Sequence, residues 1–207
     1  MASRTYTSTV RERHAEDTRR TILDAAAKLF AEQGYAHTSV AQVAAAAGVA
    51  LNTVYASVGG KSALVLALAE QGADDSTAIE TVNRITALDD PAEILRLTAH
   101  GTGQVRRKRQ RTLALLFENR YADTDIAAAA DLAIRSTRSR LDTVAARLFD
   151  TGKLRPELTL EQVEQTLWFY FGFEAWRSAR ELRWDWDDAA EWLATQASRA
   201  LLPDKAW

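Results

Sequence analysis

Four side chains able to hydrogen-bond to a nucleic acid are concentrated in one short segment: Asn52, Thr53, Tyr55 and Lys61. The amide of Asn52 can form two hydrogen bonds with the edge of an adenine, and such a pair contributes roughly 1–3 kcal/mol of base discrimination. Hydroxyl and ammonium groups donate hydrogen bonds to phosphate oxygens, which set the register of a protein on a duplex. The segment therefore has the chemistry to read a base and to hold a phosphate backbone.

Each of these residues also has an ordinary structural interpretation. Asn52 could be a solvent-facing helix residue, and Tyr55 could be a core aromatic. The two residues before Asn52, Ala50 and Leu51, could touch a thymine methyl group. The elements that position the segment decide between these alternatives.

Residues 39–61 are predicted to form two short helices joined by a tight turn. Ser39 and Gln42 have the spacing of a capping box, and apolar residues then recur at helical intervals. Gly48 follows, where a tight turn needs a residue that adopts positive φ. This pattern is typical of a helix-turn-helix, whose second helix, about 50–56, can enter a major groove. A helical hairpin inside a bundle is the alternative.

The segment DTRRTILDAAAKLFAEQGYAHTSVAQVAAAAGVALNTVY, followed by Lys61, resembles the N-terminal module of the TetR family of bacterial transcriptional regulators. The residues that fall on the family pattern are Ile22, Ala25, Ala26, Leu29, Phe30, Gly34, Tyr35, Ser39, Val43, Ala44, Ala47, Gly48, Val49, Thr53, Tyr55 and Lys61. The stretch from Trp168 through WRSARELRWDWDDAAEWLATQASRALLP is similar to one subgroup of the family. The chain departs from the pattern at Ala50, Val58 and Gly60.

This resemblance implies a three-helix DNA-binding unit over about 17–57, followed by a long fourth helix. It assigns phosphate contacts to Thr53, Tyr55 and Lys61, beside the base-reading role of Asn52. The DNA-contacting residues predicted from the sequence and the resemblance together are Ser39, Ala50, Leu51, Asn52, Thr53, Tyr55 and Lys61.

Composition predicts a globular protein of one or two domains. The chain has 207 residues, 47% of them apolar and 26% charged, values that are ordinary for soluble domains. It has no cysteine, which excludes disulfides and thiolate metal sites. No apolar run is long enough to span a bilayer, and the N-terminus does not look like a secretory signal. We therefore expect a cytoplasmic protein.

The hydrophobic pattern predicts an all-α fold of about nine helices, without strand-like alternation. Residues 1–60 are predicted to form the helix-turn-helix domain, and residues 61–207 a helical domain for ligand binding and dimerisation. The first predicted helix runs from about Asp17 to Gln33, and the two helices of the helix-turn-helix follow. The next runs from Lys61 into the low eighties, and another from Asp90 to about Tyr121, with a break near Gly101 and Gly103. A further helix contains Ile126 to Leu148 and ends at Gly152, one begins at Thr159, and the last begins at Asp185 and ends before Pro203.

Two arginine clusters also suggest contacts with nucleic acid. The first, Arg4, Arg11, Arg13, Arg19 and Arg20, predicts a flexible basic arm that reaches a minor groove or nearby phosphates, and a solvated tail is the alternative. The second lies within residues 105–111, on a predicted helix. Its five cations spread around the helix, so a solvated surface is favoured there over a binding site.

Apolar residues of the C-terminal half predict a cavity and a subunit interface. Residues 167–171 are apolar on every side of their helix, which indicates burial on both sides. The resemblance implies a four-helix bundle between protomers, with Trp176, Trp192, Leu193, Ala197 and Leu201 on the partner-facing surface. The residues predicted to line a ligand cavity are His100, Gln104, Phe117, Tyr121, Trp168 and Phe171. Plain core packing is the alternative for both sets.

No feature of the sequence points to an enzyme. The three histidines are scattered, and no catalytic motif, phosphate-cradling loop or metal-ligand spacing is present. We expect no cofactor and no metal. The sequence therefore predicts a ligand-released repressor that binds a palindromic DNA operator as a homodimer and responds to a small apolar or aromatic molecule. A helical DNA-binding or partner-binding protein without an inducer is the alternative.

Overall fold

The computed structural model describes residues 3–121 and 123–203. Within these ranges the chain forms ten α-helices and no strand, which confirms the all-α class and exceeds the predicted count by one. The helices are α1 (Ser3–Gln33), α2 (Val40–Ala47), α3 (Leu51–Ser57), α4 (Lys61–Ala73), α5 (Ser76–Ile85), α6 (Pro91–Asn119), α7 (Thr124–Asp150), α8 (Leu160–Phe171), α9 (Phe173–Glu181) and α10 (Trp186–Leu201).

The single helix predicted from Lys61 into the low eighties is two helices in the structure, α4 and α5. Asp75 separates them with extended backbone angles, φ −64° and ψ 118°. Its carboxylate caps α5 by accepting a hydrogen bond from the amide of Thr77 at 3.0 Å. The sequence carried this signal, because aspartate is a preferred residue at a helix N-cap.

The break predicted in α6 near Gly101 and Gly103 is wrong, because this helix is continuous. These glycines allow close packing instead. A Cβ atom on Gly101 would lie 2.5 Å from the side chain of Thr81, and one on Gly103 would lie 2.6 Å from the ring of Trp176. The absent side chains therefore let α5 and α9 approach α6.

The predicted flexible arm is helical in the structure. The backbone of α1 is regular from Ser3 onward, so it includes the positions of Arg4, Arg11 and Arg13. Arg20 forms an ion pair with Asp17 at 2.5 Å. The N-terminal arginines are thus part of the first helix rather than an extended segment.

The helices belong to two compact units. Unit 1 comprises Met1–Gly72 and Gln110–Leu132, and unit 2 comprises Ala73–Arg109 and Ala133–Trp207. Helices α6 and α7 contribute residues to both units. The predicted domains, 1–60 and 61–207, stay a prediction.

Each unit has a core of its own. In unit 1 the buried residues of the first three helices are Ile22, Leu23, Ala26, Phe30, Val43, Ala44 and Val54. In unit 2 a large cluster joins the apolar faces of α7 to α10 with Ile85, Ile94 and Leu95.

Among the described residues, no single helix is both long and apolar enough to cross a bilayer, and only α2 and α3 taken together, as a bent pair, have the necessary length and composition.

Candidate nucleic-acid interface

Local hydrogen bonds fix the start of α2 and its turn into α3. The Ser39 hydroxyl oxygen accepts from the amide of Gln42 at 3.2 Å, and the Gln42 side-chain oxygen accepts from the amide of Ser39 at 2.7 Å. Gly48 adopts φ 67° and donates its amide to the last carbonyls of α2. The chain then bends by 101° between α2 and α3. This crossing lies in the range of a DNA-binding helix-turn-helix.

Packing against α1 holds the two helices at this angle. Val43 and Ala44 of α2 and Val54 of α3 are buried in unit 1, and both helices contact α1. Arg19 of α1 adds a polar tie, because its guanidinium donates to the carbonyl of Ser57, at the end of α3, at 2.8 Å. Arg19 therefore supports α3 rather than forming part of a mobile arm, a role that its place in the sequence did not signal.

The opposite face of α3 is open to solvent. Leu51, Asn52 and Tyr55 are exposed, and Thr53 is half-buried. Tyr55 is 53% exposed, which excludes its interpretation as a core aromatic. The amide of Asn52 and the phenol of Tyr55 thus lie on a surface that a duplex can approach.

Lys61 is the first residue of α4, and its side chain contacts the turn between α1 and α2. Its ammonium donates to the carbonyl of Ala36 at 3.2 Å and lies 4.2 Å from the centre of the Tyr35 ring. Burial raises the pKa of Tyr35, and the charge of Asp123 adds to the effect, so this phenol stays neutral at physiological pH. An ammonium has three N–H donors, and the contact with Ala36 leaves capacity for a phosphate oxygen.

The other two predicted DNA contacts are helix caps. Ser39 is exposed and caps α2. Ala50 precedes α3 with extended backbone angles, and its side chain makes no capping hydrogen bond. All seven predicted DNA-contacting residues therefore belong to α2, α3 and the segments beside them in unit 1.

The residues predicted to line a ligand cavity are divided between the two units. Phe117 and Tyr121 belong to unit 1, whereas His100, Gln104, Trp168 and Phe171 belong to unit 2. Tyr121 is 93% exposed. His100 interacts with Glu191, its Nε2 lying 2.6 Å from a carboxylate oxygen.

Unit 2 nevertheless has a cavity, lined by other residues. It contains about 470 Å³ of empty space, part of it open to solvent. Its walls are contributed by α5, α6 and α7. The lining residues are Ala78, Thr81, Val82, Ile85, Thr98, Gly101, Thr102, Val105, Arg106, Thr137, Arg140, Leu141 and Val144. None of the six predicted cavity residues is among them.

Most of the residues predicted for the subunit interface are in the core of unit 2. Trp176, Leu193, Ala197 and Leu201 are buried in its main cluster, so they do not form a free surface. Trp192 is 47% exposed on α10, and Phe169 is 72% exposed on the adjacent helix α8. An apolar face of a helix does not reveal whether its own chain or a partner covers it.

The basic run of α6 is also placed differently from its predicted solvated surface. Arg107 and Arg111 are exposed. By contrast, Arg106 is only 6% exposed, and Lys108 and Arg109 pair with the buried carboxylate of Asp75 at 3.0 and 3.2 Å. The sequence could not reveal this, because α6 packs on more than one side.

A family model described as bacterial regulatory proteins of the tetR family matches residues 22–68. A search of curated proteins found no match. The chain is similar to the structure of NalD, the secondary repressor of the MexAB-OprM multidrug efflux pump in Pseudomonas aeruginosa, with 25% identity over 93% of this chain and 99% of that one and a TM-score of 0.70.

Two further solved structures share the fold. SmeT, the repressor of the Stenotrophomonas maltophilia multidrug efflux pump SmeDEF, is 20% identical over 91% of this chain and 92% of that one, with a TM-score of 0.67. FadR from Bacillus subtilis, in complex with stearoyl-CoA, is 17% identical over 86% and 96%, with a TM-score of 0.71. These likenesses extend over both units.

Proposed function

Because this chain belongs to the TetR family of bacterial regulatory proteins, we propose that it is a repressor that binds a palindromic operator as a homodimer and leaves it when a small molecule occupies unit 2. The observation that carries the proposal is the helix-turn-helix of unit 1, whose second helix exposes Leu51, Asn52 and Tyr55 opposite the face packed on α1. The side chains of that face have the chemistry of a major-groove reader.

Dimerisation follows from the small size of the DNA-binding surface. One short recognition helix binds weakly, whereas two copies related by a twofold axis can occupy successive major grooves roughly 34–36 Å apart. Phe169 on α8 and Trp192 on α10 are exposed aromatic side chains, and their exposure supports an interface at these two helices. We propose that a second copy of the chain covers them.

Ligand release is the finer part of the proposal. FadR was crystallised with stearoyl-CoA, and SmeT with triclosan. The cavity of unit 2 offers this chain a comparable place for a small molecule. A ligand can remove the dimer from DNA only by binding more tightly to the conformation in which the recognition helices no longer fit the major grooves. To shift the ratio of the two conformations from 1:99 to 99:1, the difference in binding free energy must be about 5.5 kcal/mol.

The direct test uses the purified chain and duplex fragments from the region upstream of its own gene. Binding to one fragment over the others is expected, with an affinity that falls steeply as salt rises, because released counterions drive the association. Indifference to every duplex at low salt would contradict DNA binding. A compound that raises the melting temperature and also weakens operator binding separates a ligand-released repressor from the alternative, a DNA-binding protein without an inducer.

Asn52→Ala is expected to relax the preference at one base pair of each half-site by roughly 1–3 kcal/mol, because it removes the proposed bidentate contact. Lys61→Ala is expected to weaken binding to all sequences alike. It should also reduce the slope of the logarithm of affinity against the logarithm of salt concentration by about one. Binding titrations against single-base operator variants at several salt concentrations measure both effects.

Lys28→Ala is a matched control, because Lys28 is an exposed lysine of α1 outside the predicted contacts. It should leave operator affinity within about threefold of the unmodified protein. If Asn52→Ala and Lys61→Ala caused the same sequence-independent loss, the assignment of base-reading and phosphate-binding roles would be wrong.

The double variant Phe169→Glu, Trp192→Glu is expected to be monomeric, because two carboxylates on each copy would be buried next to their symmetry mates. Its operator affinity should fall by about tenfold or more, since only one recognition helix would bind at a time. Sedimentation equilibrium gives the mass, and a binding titration gives the affinity. Tyr121→Glu is the control, since it changes an exposed aromatic residue in unit 1. A dimeric double variant would show that the interface lies elsewhere.

A further inference from the structure

The cavity of unit 2 contains two arginines and no acidic residue. Arg106 comes from α6 and Arg140 from α7, and the other lining residues are apolar, glycine or threonine. Arg106 is 94% removed from solvent, being only 6% exposed. A cavity that was merely a packing defect would be expected to have apolar walls only.

No carboxylate neutralises Arg106 among the residues that the structure describes. Its buried Nε has no hydrogen-bond partner, and the guanidinium carbon lies 3.6 Å from the centre of the Phe173 ring. Burial, and then the charge of Arg140, lowers the pKa of Arg106 to about 9. The side chain is still mainly charged at neutral pH, so the fold holds a desolvated cation at the wall of a cavity.

The buried carboxylate of Asp75 pairs with two cations that do not line the cavity. Asp75 is fully buried and binds Lys108 and Arg109 at 3.0 and 3.2 Å. Arg140 donates to the carbonyl of Ala73. Burial lowers the pKa of Arg140, and the charge of Asp75 opposes this effect only in part. Arg140 is thus partly compensated by Asp75 and Asp74, whereas the charge of Arg106 remains available to a ligand in the cavity.

Three of the four threonines of the lining do not supply competing donors. The hydroxyls of Thr81, Thr98 and Thr102 donate to carbonyls of their own helices at 2.7, 2.7 and 2.8 Å. Their methyl groups and the apolar lining residues form the rest of the wall. The hydrogen-bond donors that remain for a ligand are therefore mainly those of the arginines.

We propose that this cavity binds an anionic amphipathic molecule, with a carboxylate or similar acidic group held by Arg106 and Arg140 and an apolar body against the remaining wall. This inference rests on the proposed function, in which the cavity is the effector site, and it narrows the effector to acids. The guanidinium groups of Arg106 and Arg140 are suited to an acidic ligand, because guanidinium binds carboxylates through paired N–H donors.

The test compares two dyes on the purified full-length protein without DNA. 1-Anilinonaphthalene-8-sulfonate carries an acidic group, and N-phenyl-1-naphthylamine is the same aromatic body without it. The unmodified protein is expected to bind the sulfonate at least tenfold more tightly, because charged hydrogen bonds contribute that much in a buried site. Octanoate should displace the dye, whereas 1-octanol at the same concentration should not.

Variants assign the effect to the arginines. Arg106→Gln and Arg140→Gln are each expected to weaken sulfonate binding about tenfold or more and to change naphthylamine binding less than about threefold. Arg107→Gln is the matched control, since Arg107 is the exposed neighbour on the same helix. It makes the same charge change and should leave both affinities unaltered.

Equal affinity of the unmodified protein for the two dyes would overturn the proposal, and so would unchanged sulfonate binding by Arg106→Gln. If that variant does not fold, the dye preference and the octanoate competition of the unmodified protein still decide the matter. Operator binding is measured separately. Acid-selective binding without any effect on operator binding would contradict the effector role of the cavity and leave the anion site standing. Operator binding without acid selectivity would overturn the anion site and leave the proposed DNA binding standing.

Discussion

Replacing Asp75 with alanine is expected to lower the free energy of unfolding by about 3–5 kcal/mol, the range found when one partner of a buried ion pair is removed. The carboxylate has no exposed side-chain surface and binds Lys108 and Arg109. It also caps α5 through the amide of Thr77. The substitution removes the buried carboxylate that pairs with Lys108 and Arg109 as well as the cap.

Urea denaturation followed by circular dichroism measures the loss. Asp74→Ala is the matched control, because Asp74 is the exposed neighbour, and it should change the stability by less than about 1 kcal/mol. Asp75→Asn keeps the shape of the side chain and part of the helix cap, so its loss of stability should lie between those of Asp75→Ala and Asp74→Ala. A stability of Asp75→Ala within 1 kcal/mol of the unmodified protein, a margin on the order of an exposed pair, would show that the carboxylate is not the anchor of α5.

The pH dependence gives a second measure of the same carboxylate. Burial alone would raise the pKa of Asp75, but the hydrogen bonds and charges of Lys108 and Arg109 outweigh it and lower the pKa. A carboxyl group whose pKa is lower in the folded protein stabilises it above the ordinary aspartate value, roughly pH 4, and loses that effect as the pH falls through the folded value. The difference between the unmodified protein and Asp75→Asn should therefore shrink in acid.

The helix-turn-helix could be predicted because its determinants are local. The capping box of Ser39 and Gln42 and the positive φ of Gly48 depend on residues only a few positions apart. Hydrogen bonds of this kind are encoded in residue type and spacing. The exposed face of α3 followed from the same pattern, since burial of Val54 leaves the opposite side free.

The cavity and the interface could not be predicted in the same way. The burial of Trp176 and Leu193 depends on which helices surround them, and an apolar stripe is the same whether its own chain or a partner covers it. Arg106 lies in a run of cations, and no pattern within the run distinguishes the one buried residue. Its burial arises from the packing of α9, which brings Phe173 onto the guanidinium.

The same burial makes Arg106→Met an expected stabilising substitution. It should raise the free energy of unfolding by about 1–4 kcal/mol, because an apolar side chain of similar length replaces a desolvated cation without a carboxylate partner. Methionine adapts to irregular space and makes favourable contacts with aromatic rings such as Phe173. Arg107→Met, on the exposed side of the same helix, is the control and should change the stability by less than about 0.5 kcal/mol.

The stability difference between the unmodified protein and Arg106→Met should depend on pH. Because the pKa of Arg106 is lowered to about 9, the unfolded chain binds more protons than the folded one between this pH and the ordinary arginine value. The unmodified protein therefore gains stability as the pH rises through that window, relative to Arg106→Met. The charges of Arg140, Asp75, Lys108 and Arg109 are common to both proteins, so the difference between the two denaturation curves isolates Arg106. It should be largest at neutral pH and smaller at pH 10.

An acid in the cavity should reverse the order of the two proteins. A ligand at a thousand times its Kd stabilises the state that binds it by about 4.1 kcal/mol, which exceeds the expected advantage of Arg106→Met, and the variant should lose most of this gain. Denaturation of both proteins with and without 1-anilinonaphthalene-8-sulfonate measures the reversal. A variant that is less stable than the unmodified protein in the absence of ligand would mean that Arg106 is held by the fold itself. Greater stability together with lost acid binding would mean that the buried charge is kept for the ligand, since the empty fold gains nothing from it.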